Sequence, residues 1–187
     1  MELNVLEKAS SNLASINIYS KLLQSNIIFI NEPICTKTVS EYQSQLLYLQ
    51  SIGVKKINIY INSPGGSVYD CLGLYDMIQN LKSKGIIIRT INVGLAASAA
   101  AVLLLCGSEG HRESLPNCRI LLHQPSSGTY GTVTDMTIEL AECQELKQIL
   151  NDIIKKHTCE DVLNHLERDF WLDANKAKEL KIIDNIL

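Results

Sequence analysis

Residues 93–107 read Val93-Gly-Leu-Ala-Ala-Ser98-Ala-Ala-Ala-Val-Leu-Leu-Leu-Cys-Gly107, an apolar run interrupted by a single hydroxyl. A β-branched stretch, Ile86-Ile-Ile-Arg-Thr-Ile91, leads into it, and small then larger apolar residues of good helix propensity follow Ser98. That order predicts a strand, a tight turn and a buried helix, with Ser98 at the helix start. An attacking serine there would have free backbone N–H groups beside it to receive an oxyanion. A plain N-cap or packing role accounts for Ser98 equally well on this stretch alone.

Outward from this run, strand and helix patterns alternate. Residues 56–62 alternate apolar and polar side chains as a strand does, then enter Ser63-Pro-Gly-Gly-Ser67. A helix follows, with Ser67 and Asp70 in capping-box spacing, a stripe of Val68, Cys71, Leu72, Tyr75, Ile78 and Leu81, and Gly85 as its stop. Upstream, residues 16–24 suit a short helix, 26–31 a strand, and 38–51 a helix stopped by Gly53. Downstream, residues 119–123 form a short apolar strand ending at His123 before Pro125. Residues 134–156 form a helix longer than a small domain needs, suited to subunit pairing or to crossing the core. Thr158 with Asp161 suggests a capped short helix ending near Arg168, and Asp173 a cap for residues 174–180. Residues 1–15 show no clear period and are expected to be flexible; residues 16–187 are expected to form one domain. Such alternation predicts an α/β domain with a largely parallel sheet, whose sites gather at the strand carboxyl ends. Gly65-Gly66, Ser98 and His123 all fall there.

Bulk composition narrows the classes. The 187 residues carry a formal net charge of -3 without a basic run, so nucleic acid is not an expected partner. Six scattered cysteines form no Cys-x-x-Cys pair, which predicts reduced thiols and no metal site. The longest apolar run is shorter than the roughly 20 residues that cross a bilayer, and residues 1–11 lack a signal-peptide core, so no membrane association is expected. No phosphate loop of the Gly-x-x-x-x-Gly-Lys type is present.

A serine hydroxyl becomes an effective nucleophile when a histidine takes its proton and a carboxylate orients that histidine. Of four histidines, only His123 shares a strand-end edge with Ser98. Asp169 leads among the carboxylates because Phe170-Trp171-Leu172 could tuck it inward, whereas Asp173 suits a helix cap. Gly65 and Gly66, without side chains, allow backbone N–H groups to approach a carbonyl oxygen or simply form a turn.

Taken together, Ile61-Asn-Ser-Pro-Gly-Gly-Ser67, Gly94-Leu-Ala-Ala-Ser98, Leu115-Pro-Asn117, Ile120-Leu-Leu-His-Gln-Pro125 and Glu167-Arg-Asp169 with Ala174 resemble the proteolytic subunits of the Clp protease family, in unbroken order. The resemblance implies a crotonase-like α/β fold with a protruding handle at about residues 125–157. It further implies a homo-oligomer of two stacked seven-membered rings, in some cases built with a paralogue, that encloses serine peptidase sites cutting unfolded polypeptides. By the same resemblance Ser98 is the nucleophile, His123 the general base and Asp169 the orienting carboxylate. Gly66 and Ala99 supply the oxyanion hole, Ser126, Ser127 and Gly128 a strand aligning substrate, and residues 1–15 an axial gate. Tyr60 belongs to the docking surface for an AAA+ unfoldase of the ClpX, ClpA or ClpC type. That partner would use the ATP, so this chain needs no cofactor, and the setting would be bacterial cytoplasm or an organelle interior. Ala99 stands where the family usually has methionine, and Lys181 where glycine is common, which predicts a strained backbone at Lys181. Two other readings stay open at this point. One is a catalytically inert ring subunit; the other is an acyl-CoA hydratase or isomerase, which would leave Ser98 and His123 without a task.

Overall fold

The computed structural model describes residues 3–9 and 12–187. Strands β1 (Asn4–Ala9) and β2 (Asn12–Asn17) pair antiparallel, with Asn4 opposite Asn17. The segment without a sequence period thus forms a hairpin, its pairing set by backbone rather than by an apolar stripe; Met1, Glu2, Ser10 and Ser11 lie outside the described residues. Because β2 runs through Asn17, the first helix starts later than expected, as α1 (Ile18–Leu23), capped by the Asn17 side chain accepting from the Tyr19 N–H.

The main body alternates as predicted. Strand β3 (Ile27–Ile30) leads to α2 (Thr36–Ser51), β4 (Lys56–Ser63) to α3 (Val68–Ser83), and β5 (Ile87–Ala97) to α4 (Ala99–Leu105). After β6 (Arg112–Ser114) and β7 (Arg119–Leu122) comes the long α5 (Val133–His157). The chain closes with a 3-10 turn (Glu160–His165), β8 (Phe170–Leu172), α6 (Ala174–Glu179) and β9 (Asn185–Ile186). The principal sheet is ordered β3-β4-β5-β6-β9, every pair parallel, and β5 forks. Its first part pairs with β6 and its last three residues pair with β7, against which β8 lies antiparallel.

Local chemistry explains several departures from the sequence expectations. Helix α2 begins two residues early because Thr38 and Cys35 cap each other reciprocally, Cys35 N–H donating to Thr38 Oγ1 at 3.1 Å. Ser67 accepts from the Asp70 N–H at 3.3 Å, but the Asp70 carboxylate turns instead to the Thr36 hydroxyl, so the expected box is half formed. Thr158 does not cap the next turn; its hydroxyl donates back to the Ile154 carbonyl at 2.8 Å and closes α5. A reciprocal box does open α5, between Thr132 and Asp135, a signal the sequence reading passed over. Residues 126–128, expected as a strand, form no regular element, because no described strand lies beside them to pair with.

Helix α4 is the centre of the core. All seven of its residues are buried, and it packs between the sheet and helices α3 and α5. Burying leucines of the Leu103-Leu104-Leu105 kind stabilises the fold by about 1.5–3 kcal/mol each. A helix apolar on every side can only be held this way, and its position fixes where Ser98 emerges.

Candidate active site

Ser98 joins β5 to α4 with φ 55° and ψ -124°, a left-handed conformation rare for a residue with a side chain. Such strain persists only where the surroundings over-determine it. Here they do: the Ser98 N–H donates to the Leu121 carbonyl of β7 at 2.8 Å, Leu104 and its neighbours anchor the helix behind, and Gly65 lies against the turn in front. A Cβ on Gly65 would meet the Ala97 carbonyl oxygen at 2.5 Å, Ser98 Cβ at 2.8 Å and Ala99 N at 3.0 Å. The sequence marks Gly65 and Gly66 alike; Gly65 is the residue whose missing side chain lets the two loops meet.

Gly66 forms a parallel bridge with Ile34, in which Ile34 N–H donates to the Gly65 carbonyl and Ser67 N–H to the Ile34 carbonyl, both at 2.8 Å. This pairing leaves the Gly66 N–H out of the ladder, on an exposed residue. Ala99 contributes the first N–H of α4, which has no intrahelical acceptor. The glycine loop carrying Gly66 thus reaches the serine turn through Gly65, and the Ala99 N–H follows Ser98 directly.

A register slip sets the height of the serine turn. Ile61 lies opposite Asn92 and Ser63 opposite Ala96, so β5 spends four residues where β4 spends two. Gly94 sits in the slip, where a Cβ would overlap the Asn62 carboxamide. Asn62 Oδ1 accepts from the Leu95 N–H at 3.0 Å, and Asn92 Oδ1 from the Gly94 N–H at 3.2 Å, satisfying the irregular backbone.

His123 immediately follows β7, and Asp169 immediately precedes β8. Because Leu122 lies opposite Phe170 in that antiparallel pair, the next step outward sets His123 opposite Asp169. Both line one open depression with Gln124, Pro125, Ser126, Glu167 and Arg168. The serine, histidine and aspartate thus come from three adjacent chain segments at one sheet edge. In this protomer neither Ser98 Oγ nor Asp169 is within hydrogen-bonding distance of the His123 ring, and Asp169 is exposed.

Lys147 of α5 holds both flanks of this depression. Its ammonium donates to Gln124 Oε1 and to Glu167 Oε1, each at 2.9 Å, and Gln124 Nε2 donates to the Glu167 carbonyl at 3.1 Å. The lysine holds the Glu167 carboxyl below its ordinary range. One cation on the long helix therefore touches the neighbours of His123 and Asp169, a link no local sequence spacing reveals. Ser126 and Ser127 line a second cavity with Gly66, Val68, Tyr69 and Leu146, so the segment crosses in front of the glycine loop. Tyr60 lines neither depression; it is half-buried and stacked on Phe29 with ring centroids 5.3 Å apart. Among the described residues, no group of three or more His, Cys, Asp or Glu side chains is arranged to hold a metal ion.

Compared with known families, residues 9–187 match the Clp protease family model. The chain belongs to the Clp protease family. An ATP-dependent Clp protease proteolytic subunit of Bacteroides thetaiotaomicron is 43% identical over 187 residues, covering 98% of this chain and 84% of the relative. A protein of the same name from Bacteroides fragilis is 42% identical, covering 98% and 89% respectively. Clp protease membership makes the chain a serine peptidase subunit and does not favour the inert-subunit and acyl-CoA readings. It also agrees with the mixed α/β architecture and its mostly parallel sheet.

Proposed function

We propose that this Clp-family subunit hydrolyses peptide bonds of unfolded polypeptides with Ser98 as nucleophile, His123 as general base and Asp169 as the carboxylate that orients the imidazole. The observation that carries the reading is the left-handed Ser98 turn with Gly65 packed closely against it. In the reaction His123 takes the Ser98 proton as Oγ attacks the scissile carbonyl, and the N–H groups of Gly66 and Ala99 receive the oxyanion. His123 then protonates the leaving amine, and water repeats the sequence to release the acyl group. Residues 126–128 run extended beside the substrate and pair with its backbone once a chain is bound. A rearrangement of His123 at the end of β7 completes the triad.

Assembly supplies the rest. Two seven-membered rings of this chain meet through α5, which is about 37 Å long at 1.5 Å per residue and buries only Leu150 and Ile154. An AAA+ unfoldase of the ClpX, ClpA or ClpC type docks near Tyr60, Phe29 and Tyr19, the hairpin β1–β2 guards the axial opening, and ATP is consumed by that partner alone. The compartment is the cytoplasm or an organelle interior.

Fluorophosphonate labelling of the assembled protein tests the site. Stoichiometric modification at Ser98, with loss of short-peptide cleavage by at least about 1,000-fold in Ser98→Ala, is expected. Unchanged cleavage in Ser98→Ala would sink the nucleophile assignment.

A further inference from the structure

A second cavity, of about 340 Å³, opens on the far side of α4 from the serine turn, lined by Lys82, Gly107, Glu109, Arg112, Lys156, His157, Thr158 and Lys181. Four cations from four separate segments converge there: the end of α3, the start of β6, the end of α5 and the turn after α6. Arg112 is buried and binds Asp184 through Nε and NH2 and the His157 carbonyl through NH1, which leaves two of its five N–H groups free of these partners. Lys82 Nζ donates to the Cys106 and Gly107 carbonyls at 3.0 and 3.1 Å, holding the ammonium in place with one donor left over. Among the described residues that line the cavity or pair with its lining, Glu109 and the Arg112-bound Asp184 face these four positive charges, an excess of two.

Two features show that the excess is built in. His157 sits at the end of α5, where a cation is ordinarily favoured, yet burial and the charges of Lys82, Arg112 and Lys156 hold it neutral, its Nε2 bonded to the Tyr75 hydroxyl at 3.0 Å. Lys181 occupies a left-handed turn at φ 59°, where glycine would carry no strain. Lys181 therefore presents its cation to the cavity from a backbone position that glycine would hold without strain.

The geometry points to this cavity as a binding site for a soluble oligophosphate, recognised through its phosphoryl oxygens. Arg112 offers a fixed planar fork, and Lys82, Lys156 and Lys181 offer point charges around it, the combination that phosphoryl groups select. At roughly 30 Å³ per water the cavity has the room of about ten waters, enough for linked phosphoryl groups. No aromatic ring other than the engaged His157 faces it, so a nucleoside base would add nothing.

Calorimetric titration of the assembled full-length protein with sodium tripolyphosphate tests the site. Saturable binding of one equivalent per subunit is expected, weakened about tenfold or more in Lys181→Gly, which removes the charge while relieving the turn. Lys178→Ala, which deletes an exposed lysine outside the cavity, should bind as the parent does, and sulfate should bind far more weakly. Absence of saturable heat would overturn the proposal. So would unchanged affinity in Lys181→Gly, equal weakening in Lys178→Ala, or sulfate binding as tightly as tripolyphosphate, any of which would mean an adventitious ion only.

Discussion

Two residues show how position overrides type. Ser98 is one of many serines, but at φ 55° its side chain is aimed by the backbone rather than chosen by rotamer. Sequence could mark Ser98 through the apolar run that isolates it, yet not the conformation, which depends on Leu121 and Gly65 from distant segments. His157 ends its helix, where a cation is ordinarily favoured, and is instead a half-buried neutral ring. Burial, reinforced by Lys82, Arg112 and Lys156, moves its pKa from 6.5 down to about 4. The unfolded chain therefore binds the proton more readily, so folding stability from this group is complete above pH 6.5 and declines as pH falls from 6.5 towards 4. Melting temperatures across that window should drop in the parent and drop less in His157→Gln, and NMR of the ring should report titration near pH 4.

Among the elements, helices with stripes, caps and stop glycines were the most legible, as with α3 and its Ser67 start and Gly85 end. The fork in β5 was not, because the bond that ties β5 to β7 there, Asn92 Nδ2 donating to the Arg119 carbonyl, leaves no periodic trace. The hairpin β1–β2 escaped for a related reason: its alternation is too weak to stand out without the partner strand. Gly65→Ala should separate folding from activity, since the added methyl pushes on Ala97 and Ser98 at a backbone with φ +90°. Peptide cleavage should fall by about 100-fold or more, as displacement of the reacting group costs, while circular dichroism stays native. Leu104→Ala acts the other way, through the wholly buried α4. Denaturant unfolding should show a loss of about 2–5 kcal/mol.

On the scale of the molecule, the longest helix is barely part of the core. Val133, Ile138 and Leu140 are 76%, 62% and 58% exposed in the protomer, and nothing in the subunit covers them. The helix length was readable from the sequence, but its two competing roles were not separable there, because both use the same apolar residues. Exposure of this kind marks a surface awaiting a partner. Under the two-ring assembly proposed above, Ile138→Glu with Leu140→Glu should split the particle, read as a halving of its mass in native mass spectrometry. An undiminished mass would place the ring contact elsewhere.

The extra residues that β5 spends opposite β4 number two, and that parity matters. Side chains along a strand alternate between faces, so an even surplus lengthens the path without inverting which side of the sheet each later residue addresses. The chain gains about 6.6 Å of reach, at 3.3 Å per residue, and still delivers its hydroxyl to the correct face. A surplus of one would break that alternation and re-aim the end of the strand, and with it the serine turn.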